Sequence, residues 1–168
     1  MDVKELLDDE NPDPKKFFDD TEYSTLLIGR EGFNKNQNDS ADLIETLLAK
    51  DTTRKEAEAI FLKLKSLKAT KLLIETIKSA KTERDKAKLC AACWESGLDF
   101  TANFLFFTEL GCSNDFALAM EALTVVESIE GIILQSELTK GLEIIQNCKS
   151  KNVSILEFLT NNIKARLT

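Results

Sequence analysis

Histidine is absent from this 168-residue chain. Without an imidazole there is no Ser/His/Asp or Cys/His nucleophile system, no His-ligated metal and no side chain that ordinarily shuttles protons near neutral pH. Proline occurs twice and glycine six times, which excludes a collagenous chain and argues against a sandwich of many short strands. No apolar run approaches the roughly 20 residues a membrane-spanning helix needs. The opening stretch, with Asp2, Glu5, Asp8, Asp9 and Glu10, is too acidic for a signal peptide, so the expected compartment is the cytoplasm. No Gly-rich phosphate loop, calcium loop or metal-ligand spacing is present. Adjacent carboxylates such as Asp8 and Asp9, or Asp19 and Asp20, diverge on a helix and are poorly placed for shared acid/base work. No catalytic, cofactor-binding or metal-binding residue is therefore expected, and the chain reads as non-enzymatic.

Basic residues are also missing over a long interval: no Lys or Arg occurs from Leu89 to Thr139. The net charge of −7 is correspondingly uneven. Residues 1–50 carry 6 basic and 13 acidic side chains, residues 51–88 carry 11 and 6, and residues 89–168 carry 5 and 10. A basic band thus lies between acidic flanks. What remains, 43% hydrophobic and 30% charged residues, is the composition of a helical domain with a real core. Four cysteines could form two disulfides, but without an export signal reduced thiols are expected.

Sliding the sequence against itself reveals a repeat. The segment Asp42 to Leu47 recurs thirty positions later as Leu72 to Ile77, with Leu-Ile-Glu-Thr unchanged. The same shift aligns Thr52 with Thr82, Arg54 with Arg84, Ala57 with Ala87 and Ser66 with Ser96. Ala57, Ile60, Phe61, Leu64 and Leu67 follow the spacing of one apolar helix face. Shifted copies fall on Ala87, Cys90, Ala91, Trp94 and Gly97, then on Ala119, Ala122, Leu123, Val126 and Ile129. Shorter helices precede each, edged by Leu43, Ile44 and Leu47, then Leu73, Ile74 and Ile77, then Phe106, Phe107 and Leu110.

Thr53 with Glu56 and Ser154 with Glu157 have capping-box spacing, and Gly97, Gly111 and Gly131 stand near expected helix ends. The spacing predicts helices near 40–50, 53–68, 70–80, 83–96, 100–110, 114–130, 135–150 and 153–167. Residues 1–38, broken by Asn11-Pro12-Asp13-Pro14 and by the polar run 34–38, read as an acidic lead-in with at most short capping helices. Residues 39–168 read as one domain. A single helix pair of this size cannot bury its own stripe, whereas stacked pairs form a continuous core. The expected fold is all-α, with about four stacked helix pairs.

The Leu-Ile-Glu-Thr units at 43–46 and 73–76, each followed by a polar turn and a longer Ala-rich helix, resemble HEAT-like or armadillo-like repeat proteins of the short-period bacterial type. The resemblance covers roughly 39–131 and extends loosely to 167. It lacks the Pro and Asp/Arg marks of longer HEAT units, and the tetratricopeptide signature is absent too. The resemblance implies a right-handed α-α superhelix that binds another macromolecule on one face, and it names no partner.

Candidate contacts on that reading are the off-stripe residues of the longer helices: Lys55, Glu58, Lys63, Lys65, Lys86, Lys88 and Cys93. The expected partner is a protein. An alternative is nucleic-acid binding or base repair through the basic band 54–88, although a net acidic chain repels phosphate backbones at long range. A third option is an enzyme or regulator whose site appears only on self-association, through the apolar, base-free segment Leu89 to Thr139. Cys90-Ala91-Ala92-Cys93 falls mid-helix, where a redox pair would open one. The thirty-residue shift puts Cys90 in the core with Ile60 and Cys93 on the flank with Lys63. Trp94, the single tryptophan, falls on the apolar stripe and is placed in the core, with a partly exposed groove residue as the alternative.

Overall fold

Capping residues and apolar spacing together dictate where the helices of this computed structural model begin and end. The structure describes residues 41–49 and 51–167. The expected lead-in 1–38 lies outside them. Residues 41–48 form α1, followed by α2 (Arg54–Ser66), α3 (Thr70–Ser79) and α4 (Glu83–Glu95). A 3-10 turn at Thr101–Asn103 leads into α5 (Phe104–Gly111), and α6 (Phe116–Ser128), α7 (Gln135–Asn147) and α8 (Val153–Leu167) complete the order. Among the described residues there is no strand. The described part of the chain is all-α, and every helix expected within it is present.

Thr53 caps α2 in a full capping box: its hydroxyl accepts the Glu56 N–H at 3.3 Å, while Glu56 accepts the Thr53 N–H at 2.8 Å. The Thr53 N–H and the Thr53 hydroxyl both donate to Glu56 Oε2 at 2.8 Å, and these two bonds hold the Glu56 carboxyl below its usual range. Thr82 caps α4 by accepting the Asp85 N–H at 3.1 Å, and Asp115 caps α6 by accepting the Leu118 N–H at 2.9 Å. The expected box at Ser154 is not formed. Helix α8 starts at Val153, so Ser154 is already inside its first turn. The preceding loop fixes that start: the Asn152 carbonyl accepts the Ile155 N–H at 3.0 Å, and its side-chain amide donates to the Ser113 carbonyl at 3.0 Å.

Helix ends differ in their chemistry. Gly97 takes φ +59 after α4, as its residue type allows, and Lys68 takes φ 52 after α2 at a steric cost. At Lys68 the N–H of Ala69 reaches back to the Leu64 carbonyl at 3.1 Å, the long bond of a Schellman motif. Gly111 and Gly131 also fall at helix ends, without a positive φ.

The described helices belong to one unit, Ser40–Thr168. Even-numbered helices pack in series, α2 on α4, α4 on α6 and α6 on α8, and α3, α5 and α7 each pack on the even helix that follows. Helix α5 touches α6, α7 and α8, which explains why its sequence is apolar on several sides. Phe104 and Phe107 are buried there, and Phe100 meets Phe107 edge-on at 5.4 Å between ring centroids. Gly141 of α7 lets that helix approach closely, since an added Cβ would lie 3.0 Å from two ring carbons of Phe104. Two ties set α6 and α8 parallel. The Ser150 hydroxyl donates to the Ser113 carbonyl at 2.8 Å near their starts, and Arg166 donates to the Val126 carbonyl at 3.1 Å near their ends.

Candidate functional site

Caps also fix the rotation of each helix, and with it which side chains face solvent. Helices α2, α4 and α6 each have 13 residues, and the caps of the first two, Thr53 and Thr82, stand 29 positions apart. The Leu-Ile-Glu-Thr match in α1 and α3 instead stands 30 apart, marked by the same bond in each: Thr46 to the Asp42 carbonyl and Thr76 to that of Leu72. The turn before α4 has lost one residue relative to the turn before α2. One residue of slip turns a helix face by about 100°.

That slip corrects two expectations. Cys93 is equivalent to Leu64 rather than Lys63, and both are fully buried. It cannot touch a partner and drops out of the candidate contacts. Trp94 is equivalent to Lys65 and stands half-buried at the surface instead of in the core. Its indole N–H donates to Glu121 of α6 at 2.8 Å. Cys90 is buried as expected, and burial, assisted by the Glu121 charge, pushes its thiol up to about 12. Burial likewise raises the Cys93 thiol well above its ordinary value, so the pair is inert at neutral pH. All four cysteines are free thiols.

Around Trp94 the surface is concave. Arg84, Lys88 and Ala91 of α4 and Asp115, Ala117 and Glu121 of α6 line a groove between the two helices. Beyond Trp94, where α4 and α6 end, lies a cleft of about 600 Å³. Its walls include Lys65 from the last turn of α2, Trp94, Asp99, Phe100, Ser128 and Glu130. Asp99 is held ionised: one of its oxygens accepts the Thr101 hydroxyl at 2.6 Å and the Thr101 N–H at 2.9 Å, and these bonds keep its carboxyl below the usual range. The Lys65 ammonium lies against Gly97, 3.2 Å from where a Cβ there would stand.

No protein-family model, curated protein or solved structure matches this chain.

The remaining candidates are scattered. Lys55 and Lys63 are exposed on α2, and Glu58 pairs with Arg54 at 3.0 Å. Lys86 pairs with Glu83 at 2.9 Å. Lys88 serves the fold as well as the groove, because its ammonium donates to the Leu48 and Ala49 carbonyls at 3.4 and 3.2 Å, at the end of α1. Only Lys65 and Lys88 of the original set line the concave surface just described. Sequence reasoning held Trp94 as a groove residue only as its second choice, and missed Asp99, Glu121 and Glu130 altogether. The signal for Trp94 was available in the spacing of Thr53 and Thr82.

Nothing in this arrangement pairs a nucleophile with a base. Within the described residues no group of three or more Cys, Asp or Glu side chains is placed to hold a metal ion. No helix among them is long and apolar enough to cross a membrane.

Proposed function

We propose that this protein is a non-enzymatic, HEAT-like α-α superhelix of about four helix pairs, working in the cytoplasm as a protein-interaction module. It docks a segment of a partner protein along the exposed face of α4 and α6. The serial packing of the even helices supports the superhelical reading, because it leaves one side of each available along a common surface.

The observation that carries the reading is Trp94. A large aromatic group pinned by Glu121 and set between a groove and a cleft is the usual form of an interface anchor, in which one side chain supplies about 2 kcal/mol or more of binding energy. The nucleic-acid alternative has less support. Five of the eleven cations of the basic band are engaged within the chain: Arg54, Lys71 and Lys86 in ion pairs, Lys88 on carbonyls and Lys78 over the Phe106 ring at 5.3 Å.

Affinity capture from the source cells, using the full chain and two variants, tests the proposal. Ala91→Arg fills the α4/α6 groove, whereas Glu109→Arg alters exposed surface on α5. The expected result is a partner recovered by the parent and by Glu109→Arg but lost with Ala91→Arg. Recovery of no stable partner, or equal loss with both variants, contradicts it.

A further inference from the structure

The cleft has a chemical preference that the docking proposal alone does not specify. It lies where α4 and α6 end, and neither helix has a basic residue in its last turn. Each C-terminus presents carbonyl ends carrying roughly half a negative charge. By contrast, the last turn of α2 has Lys63 and Lys65. Two carboxylates, Asp99 and Glu130, stand on the walls of the cleft. The Thr101 bonds go to one oxygen of Asp99 and leave the other open for a ligand.

The stretch of chain that supplies most of the cleft has the same sign, while the adjoining groove carries Arg84 and Lys88 beside Asp115 and Glu121. Residues 89–139 carry eight carboxylates and no Lys or Arg, and the ion pairs among the described residues all lie outside this interval. Trp94 adds an aromatic wall, which favours a planar cation over a hydrated point charge. The opposing term is Lys65, a cation on the rim of the cleft. It discriminates between ligand types, since it must hinder a cationic ligand and help an anionic one.

We infer that the cleft bounded by Trp94, Asp99 and Glu130 receives the guanidinium of an arginine in a basic segment of the partner protein. This rests on the docking reading above and adds the partner's chemistry to it. The guanidinium stacks on the indole and donates to the open oxygen of Asp99 and to Glu130. The sequence had placed its interface on the cations; the cleft assigns recognition to the anions.

Trp94 is the only tryptophan, so its emission reports on the cleft without a label. The full chain is titrated with acetyl-Arg-Ala-Arg-Ala-Arg-Ala-amide and with the corresponding Glu-Ala peptide, at low and at moderate salt. The expected result is a saturable emission change with the Arg peptide alone. Its dissociation constant should rise about fivefold or more in Asp99→Asn/Glu130→Gln, which removes two part-exposed ion pairs, and should fall in Lys65→Glu. Glu109→Gln/Glu137→Gln removes the same charge elsewhere and should change it by less than about twofold. Circular dichroism checks that each variant is folded, and Lys65→Glu tests the sign independently at an exposed position. Absence of saturable binding, tighter binding of the Glu peptide, or equal weakening by the two double variants overturns the inference. If the peptide fails while capture still depends on Ala91, the charge assignment falls and the docking face stands; failure of both removes both.

Discussion

Exchanging the residues at two equivalent helix ends tests the alignment on which the site rests. Gly97 follows α4 at φ +59 and Lys68 follows α2 at φ 52. A Cβ in that left-handed region costs about 1–2 kcal/mol. Replacing glycine by alanine returns about 0.4–1 kcal/mol by restricting the unfolded chain. The nearest atom to a new Cβ at Gly97 is the Lys65 ammonium at 3.2 Å, the free end of an exposed chain that moves at little cost. Gly97→Ala should therefore destabilise by about 1 kcal/mol, and Lys68→Gly should stabilise by a similar amount. For a domain of this size each change shifts the melting temperature by about 2–4 °C, in opposite directions. Urea denaturation followed by far-ultraviolet circular dichroism measures both without relying on the adjacent tryptophan. A neutral or stabilising Gly97→Ala, or a destabilising Lys68→Gly, refutes the equivalence of the two ends.

Other consequences are as direct. Phe107→Ala empties the centre of α5 packing and should cost about 3–5 kcal/mol in the same denaturation assay. Lys88→Met leaves the end of α1 without its donor and should lose about 1 kcal/mol, whereas Lys55→Met should be neutral. The thiols of Cys90, Cys93 and Cys112 are all raised by burial, those of Cys90 and Cys112 to about 12 from an unfolded value of 9.0. Because the unfolded chain ionises first, their contribution is intact below pH 9 and is lost as pH climbs toward about 12. Stability should decline over that alkaline range, and Cys90→Ala should flatten the decline; a flat profile in the parent contradicts the burial.

The helices were legible because their signals are local. Thr53 with Glu56, the apolar stripe from Ile60 to Leu64 and Gly97 after α4 each act within a turn or two of themselves. The rotation of α4 was not legible from the strongest sequence match, because Leu-Ile-Glu-Thr lies in the other helix of each pair and a one-residue change in the turn intervenes. This displaced Cys93 and Trp94 by one position, enough to exchange core and surface. The start of α8 was read correctly, but the capping box expected at Ser154 failed for a different reason. Asn152 and Ser150 are tied to Ser113, thirty-seven or more residues away in sequence, and no local pattern encodes that tie. The cleft is a tertiary feature of the same kind, assembled from three helix ends. Its only trace in the sequence is the interval without Lys or Arg.

Amide hydrogen exchange on the parent chain, with and without a captured partner, tests the docking face most directly. The account expects slowed exchange in peptides covering 83–98 and 116–131, with α7 unchanged. Protection confined to α5 and α7, with none on α4 or α6, contradicts it.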